Sequence, residues 1–134
     1  NVCTKPVELI DIYPTLLGIS KLKPDSKLQG NSLETLLKNP AAEWPYLART
    51  SFGPKNVAIR SERYRYIRYN DGTEEFYDQS TDPHEWNNLI NQPKFANQIK
   101  QHRDALPTNY HPLLGARSTG HKTFEASHTI NHKK

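Results

Sequence analysis

Residues 58–89 read AIRSERYRYIRYNDGTEEFYDQSTDPHEWNNL, and the fold turns on how this stretch is parsed. From Arg63 to Tyr69 the residues alternate with a period of two. Tyr64, Tyr66 and Arg68 fall on one face and Arg65, Ile67 and Tyr69 on the other, as in a β-strand. Asn70-Asp71-Gly72-Thr73 has hairpin chemistry, with Gly72 supplying the positive φ. Glu74–Asp78 is the return strand, with Phe76 and Tyr77 on opposite faces. Asp82-Pro83 opens a turn in which the Asp82 side chain bonds backbone amides ahead of it.

Outward from this hairpin, 46–52 and 57–61 are strand candidates separated by the Gly53-Pro54-Lys55-Asn56 loop. The sum is an antiparallel meander of three or four strands. Downstream, Pro93 starts a helix over about 93–106. Phe95, Ile99, His102 and Leu106 make its apolar face, with His102 at the rim, and Pro107 stops it. Upstream, PVELIDIYPTLLGI predicts a helix over about 6–19, opened by Pro6, with Val7, Ile10 and Leu17, joined by Tyr13 and Leu16, near helical spacing. Pro14 predicts a kink or a division into two short helices. A second helix is expected over about 32–38, with Asn31 as N-cap and Glu34 completing a capping-box-like pair. The fold class is therefore α+β: a small antiparallel sheet with a packing C-terminal helix. Residues 113–134 show no periodicity and are expected as an extended or disordered basic tail.

Only 34% of the 134 residues are apolar, thin for a self-sufficient core and suited to a piece that completes its core against something else. The net charge is +4, and most of it sits in 108–134, where Arg117, Lys122, Lys133 and Lys134 face Glu125 alone. An anionic partner is thus only weakly indicated. The single cysteine, Cys3, excludes an internal disulfide and is expected as a small buried residue. No apolar run is long enough for a membrane span. The chain begins at Asn1 rather than Met, which points to a processed or truncated product.

Arg60, Arg63, Arg65 and Arg68 interleave with Tyr64, Tyr66 and Tyr69. Such a sheet can stack bases and grip phosphates, so a module binding RNA or another polyanion is one reading. The other has the aromatics on the core face and the arginines paired with Glu62, Glu74, Glu75 and Asp78, and the missing Gly-rich aromatic signature favours it. The six histidines form no metal spacing, and no serine stands in a nucleophile elbow. Asp82 and Glu85 flank a proline turn, where capping explains them better than acid–base chemistry.

Four elements in order carry a resemblance. Val7–Leu17 resembles the helix that sulfatases place late in their catalytic domain, and Leu28-Gln29-Gly30-Asn31-Ser32-Leu33 resembles the L-x-G-x-S-L element after it. Arg60–Leu89 resembles their tyrosine-rich hairpin and D-P-x-E-x-x-N-L corner, and Leu106-Pro107 the end of the closing helix. The chain is similar to the C-terminal portion of a type I, formylglycine-dependent sulfatase, on the iduronate-2-sulfatase-like branch. The resemblance implies that 1–45 ends an alkaline-phosphatase-like α/β catalytic domain and that 46–112 forms its C-terminal subdomain. It also implies a sulfuric ester hydrolase acting on a sulfated saccharide, periplasmic or secreted, or lysosomal if eukaryotic. Its cysteine, in a C-x-P-S-R-type motif, is oxidised to formylglycine, whose hydrate attacks sulfur beside a calcium ion. Cys3 is followed by Thr4-Lys5-Pro6-Val7, so it is not that cysteine. No catalytic residue and no metal ligand can be carried onto this chain, which alone is expected to be inactive. Its partners would be the upstream catalytic domain and the saccharide, with no nucleic acid and no membrane. Lys55 and Asn56, in the loop that nears the substrate cleft of the family, and Arg60 are the candidate substrate-binding residues. Arg60 has a second reading, as an ion pair joining the subdomain to the catalytic domain. Relatives carry His where this chain has Val57.

Overall fold

The hairpin forms as its alternation and turn residues require. In the computed structural model, which describes residues 2–110, β1 (Ala48–Ser51), β2 (Val57–Arg60), β3 (Tyr64–Arg68) and β4 (Glu74–Asp78) make one antiparallel sheet in the order β1-β2-β3-β4. Tyr66 lies opposite Phe76 and Arg68 opposite Glu74. Gly72 takes φ +90° in the turn. The strand expected over 46–52 is shorter, because Phe52 already belongs to the loop that closes on Asn56.

Val57 and Ile59 of β2 point to the same side as Tyr66 and Phe76. There they meet α3 (Ala96–Asp104), entered through a 3-10 turn at Pro93–Phe95. Ile99 of α3 joins them in the core, and Tyr64 stacks on Phe76 with centroids 5.2 Å apart. The helix is shorter than 93–106 because its first turn tightens to 3-10 geometry. His102 is fully inside rather than at the rim, at 3% exposure.

The N-terminal segment inverts its expected orientation. Helix α1 (Ile12–Ile19) follows a 3-10 turn at Leu9–Asp11, so Pro6 stands outside it. Pro14 falls in the first turn, where its missing N–H removes no helix bond, and the break comes instead where the 3-10 turn gives way to α1. The positions turned inward are polar: Asp11 is 2% exposed and Thr15 is buried. The Asp11 carboxylate accepts from the backbone N–H of Glu8 and of Asn31, each at 2.8 Å. The Thr15 hydroxyl donates to the Asp11 carbonyl and accepts from the Leu33 N–H at 2.8 Å. Gly30 lies so close that an added Cβ would stand 2.1 Å from the Ile10 carbonyl oxygen.

Those bonds also correct the reading of Asn31. Its amide is spent on Asp11, and helix α2 (Glu34–Lys38) starts later, with Leu33 at the cap position and no side-chain capping bond. Val7, Leu9, Ile10, Ile12, Tyr13, Leu16 and Ile19 are exposed, Leu9 at 86%. Spacing shows that a helix has an apolar stripe but not which way the stripe faces. Cys3 is exposed, not buried. The tail expected over 113–134 lies outside the described residues.

Candidate functional site

The structure separates the three candidate residues. Lys55 and Asn56 sit at one end of β2, and Arg60 at the other, about 15 Å along the strand at the usual rise per residue. Lys55 occupies the left-handed region at φ +65°, next to Gly53 at φ +66° in the same loop. It lines a cleft of about 320 Å³ with Arg68, Tyr69, Asn70, Pro107 and Tyr110. Its ammonium has no partner among the described residues. The Asn56 side-chain carbonyl accepts from the Asn70 N–H at 2.9 Å, so it ties the β1–β2 loop to the hairpin turn beneath Lys55. Val57 is buried in the core and presents nothing to a ligand.

Arg60 lies beside Arg65 across the β2–β3 pair, on the sheet face opposite α3, and is half-buried. It makes no ion pair and no side-chain hydrogen bond among the described residues. The other three arginines of the hairpin are engaged. Arg63 grips Asp78 with Nε and Nη2, the latter at 2.6 Å. Arg65 donates to Glu85 at 3.0 Å, and Arg68 to Glu74 at 2.9 Å. This pairing favours the reading in which the hairpin arginines serve ion pairs within the fold, with Arg60 the exception.

Two arrangements escaped sequence reasoning because their partners are far apart in the chain. The Glu74 carboxylate takes hydrogen bonds from Tyr66, Arg68 and Arg103, joining both hairpin strands to α3. The Arg103 guanidinium holds that carboxyl below its ordinary range. The second is Ser61 and His102, with Oγ and Nε2 3.0 Å apart. That distance suits a nucleophile and base. But His102 is buried, and the Ser61 oxygen accepts from the Tyr64 N–H at 3.0 Å. His102 Nδ1 contacts the Gln98 carbonyl at 2.7 Å, which fixes Nδ1 as the protonated nitrogen and Nε2 as an acceptor. The pair anchors α3 to the β2–β3 turn.

These groups set a pH dependence. Burial lowers the pKa of His102 from 6.5, so the unfolded chain takes up a proton that the fold refuses. Stability from this residue is present above about pH 6.5 and is lost as pH falls below it. Arg63, and then Ser80, lower Asp78 from 3.8 to about 2, so its contribution holds above the ordinary value and disappears as pH falls from about 4 to about 2. Urea unfolding against pH will therefore show two losses on acidification. His102→Gln will remove the upper one, and an unchanged upper step would refute the assignment.

Nothing among the described residues fits formylglycine or calcium. Cys3 is exposed in the wrong local sequence, and the described residues hold no group of three or more His, Cys, Asp or Glu placed to share a metal ion. Asp82 accepts from the Asn87 N–H at 2.8 Å, the capping its turn implies, whereas Glu85 pairs with Arg65 on β3 instead of capping, so both are structural.

Comparison with known proteins gives this architecture its place. A sulfatase of Formosa agariphila is 44% identical over 103 residues, covering 76% of this chain and 20% of that protein. An ulvan-active sulfatase of the same organism is 35% identical over 99 residues, covering 67% and 19%. A solved structure holding its substrate D-glucosamine-2-N,6-O-disulfate superposes with a TM-score of 0.58 at 24% identity, covering 91% of this chain and 24% of that one. The fold is thus the C-terminal sheet and helix of the alkaline-phosphatase-like sulfatases. The chain spans about a fifth of the length of the curated relatives it matches. The family model described as N-sulphoglucosamine sulphohydrolase, C-terminal, matches residues 1–110, and with it this chain belongs to that family of sulfatase C-terminal portions.

Proposed function

We propose that the protein carrying this chain hydrolyses sulfate esters on a sulfated saccharide, and that residues 2–110 complete its fold and shape its cleft rather than run its chemistry. One observation carries the reading: the outward apolar stripe of α1, with Asp11 and Thr15 locked inward, leaves a surface that a larger body must cover. That body is the upstream catalytic domain, which would hold formylglycine and calcium. The iduronate-2-sulfatase-like branch is in keeping with a Δ4,5-hexuronate-2-O-sulfatase of Bacteroides thetaiotaomicron among the relatives. The protein is assigned to the periplasm or the exterior of a bacterium, or to the lysosome in a eukaryote. Among the described residues no helix is long and apolar enough to cross a membrane.

Lys55 is assigned to a sulfate or carboxylate of the saccharide, with Asn56 holding its loop. Arg60 meets an anion from outside 2–110, either a carboxylate of the catalytic domain or a group on the substrate. The complete polypeptide, assayed by ion chromatography of sulfate released from sulfated polysaccharides, is expected to be active, and the isolated 134-residue chain inactive. Absence of sulfate release from every sulfated saccharide and aryl sulfate tried would overturn the reading. Arg60→Ala in the complete polypeptide will cost about 3 kcal/mol of stability if a carboxylate faces it. It will instead raise KM with stability kept if the substrate does. If neither changes, Arg60 has no anionic partner.

A further inference from the structure

The D-P-H-E-W-N-N corner holds an exposed aromatic that the assignments above leave unused. Trp86 is 80% exposed, the most exposed aromatic among the described residues. The His84 ring lies nearly parallel to it, with centroids 5.0 Å apart and planes 19° apart. One indole face is therefore backed and the other is open to solvent.

The corner that presents this pair is rigid. Asp82 accepts from the Asn87 N–H at 2.8 Å. The Asn88 side-chain carbonyl accepts from the N–H of Phe76 at 3.1 Å and of Ile90 at 3.0 Å, and the Leu89 N–H donates to Phe76 O at 2.8 Å. Glu85, between the two rings, sits at φ +59°, a region that costs a residue with a side chain. Arg65 holds its carboxylate at 3.0 and 3.1 Å, and Gln79 donates to the same group. A strained residue thus links His84 to Trp86 along the chain, its side chain anchored on Arg65 and Gln79, at a place where the Trp86 ring is exposed.

Two kinds of exposed apolar surface are present, and they differ in setting. On α1, Leu9, Ile12, Tyr13, Leu16 and Ile19 form a continuous stripe, the composition of a protein interface. Trp86 stands alone among exposed polar neighbours, His84, Asn87 and Asn88. A single flat ring with a polar rim suits a ligand that has one apolar face and many hydroxyls. A pyranose ring is such a ligand: its axial C–H groups pack on the indole face while its hydroxyls reach the rim.

We propose that Trp86, backed by His84, is a stacking platform for a sugar ring of the polymeric substrate, forming an auxiliary saccharide subsite on the hairpin corner. The proposal rests on the saccharide reading above but concerns binding, not hydrolysis. The platform reads the C–H face of the ring, so its contribution does not depend on sulfate.

The test is calorimetric titration of the complete polypeptide with heparin-derived and ulvan-derived oligosaccharides and with their chemically desulfated counterparts. Trp86→Ala will weaken binding about tenfold, the loss of one well-packed contact. Trp86→Phe will retain most of the affinity, and the ratio of wild type to Trp86→Ala will persist with a desulfated oligosaccharide. The thermal midpoint of Trp86→Ala will stay at the wild-type value. Equal affinity of wild type and Trp86→Ala, or binding by neither to any of these sugars, overturns the proposal. So does a midpoint lowered by several degrees with affinity kept, which would make Trp86 a contact with the catalytic domain. Tryptophan-dependent binding without sulfate release would sink the hydrolase reading and leave the platform standing. Sulfate release with no dependence of affinity on Trp86 would do the reverse.

Discussion

Phe76→Ala will lower the unfolding free energy by about 3–5 kcal/mol, the usual cost of emptying an aromatic position in a closed core. Phe76 is fully buried at the centre of the small core, paired across strands with Tyr66 and stacked on Tyr64. It touches the ring of Phe95 at 6.0 Å and that of His102 at 5.5 Å between centroids. Truncation therefore opens space between the sheet and α3 that neither rigid layer can fill. Denaturant titration will show the midpoint moving with little change of slope. Phe76→Leu, which keeps much of the volume, will recover a good part of the loss. A loss under about 1 kcal/mol for the alanine variant would mean that the sheet and α3 do not share a core.

Gly30→Ala will detach the N-terminal segment at a cost of about 3 kcal/mol or more, beyond ordinary overpacking, since the obstacle is backbone. The new Cβ would fall 2.1 Å from the Ile10 carbonyl oxygen and 2.9 Å from the Asp11 nitrogen, and neither can step aside without breaking the Asp11 bonds. Hydrogen exchange will show it directly. The amides of Asn31 and Leu33, which donate to Asp11 and Thr15, will lose protection, while hairpin amides such as Tyr69 keep theirs. Gly18→Ala is the control. Its Cβ would meet the end of the flexible Glu34 side chain, which can swing away. Unaltered protection at Asn31 and Leu33 in the Gly30 variant would refute the close approach.

Sequence reasoning reads the hairpin well and the N-terminal helix badly, for one physical reason. Between Arg63 and Asp78 the determinants are local: alternation sets the faces, and a glycine at positive φ sets the turn. For α1 the deciding partner is the L-x-G-x-S-L element some twenty residues away, whose amides claim the polar side of the helix. Apolar spacing alone made Val7 and Ile10 look inward, whereas both are exposed and of that set Leu17 alone is half-buried. At the site, the pairing of Arg63 and Arg68 with Asp78 and Glu74 followed from proximity in the hairpin. The separation of Lys55 from Arg60 is not drawn from the sequence, which groups both as substrate-binding candidates although they flank one strand. Glu74 with Arg103, and Ser61 with His102, bring together residues 29 and 41 positions apart, beyond any local pattern.

Strand order in the sheet is the order of synthesis. Each strand pairs with the one made just before it, through the short connections 52–56, 61–63 and 69–73, and no crossover has to wait for a distant segment. Loop closure on this scale is quick, and chains rich in such neighbour contacts reach their native topology fast. The meander can therefore assemble as the chain emerges, with α3 locking it a moment later. In the complete protein proposed above, the outward stripe of α1 finds no such neighbour within residues 2–110, so its burial would follow the meander rather than precede it.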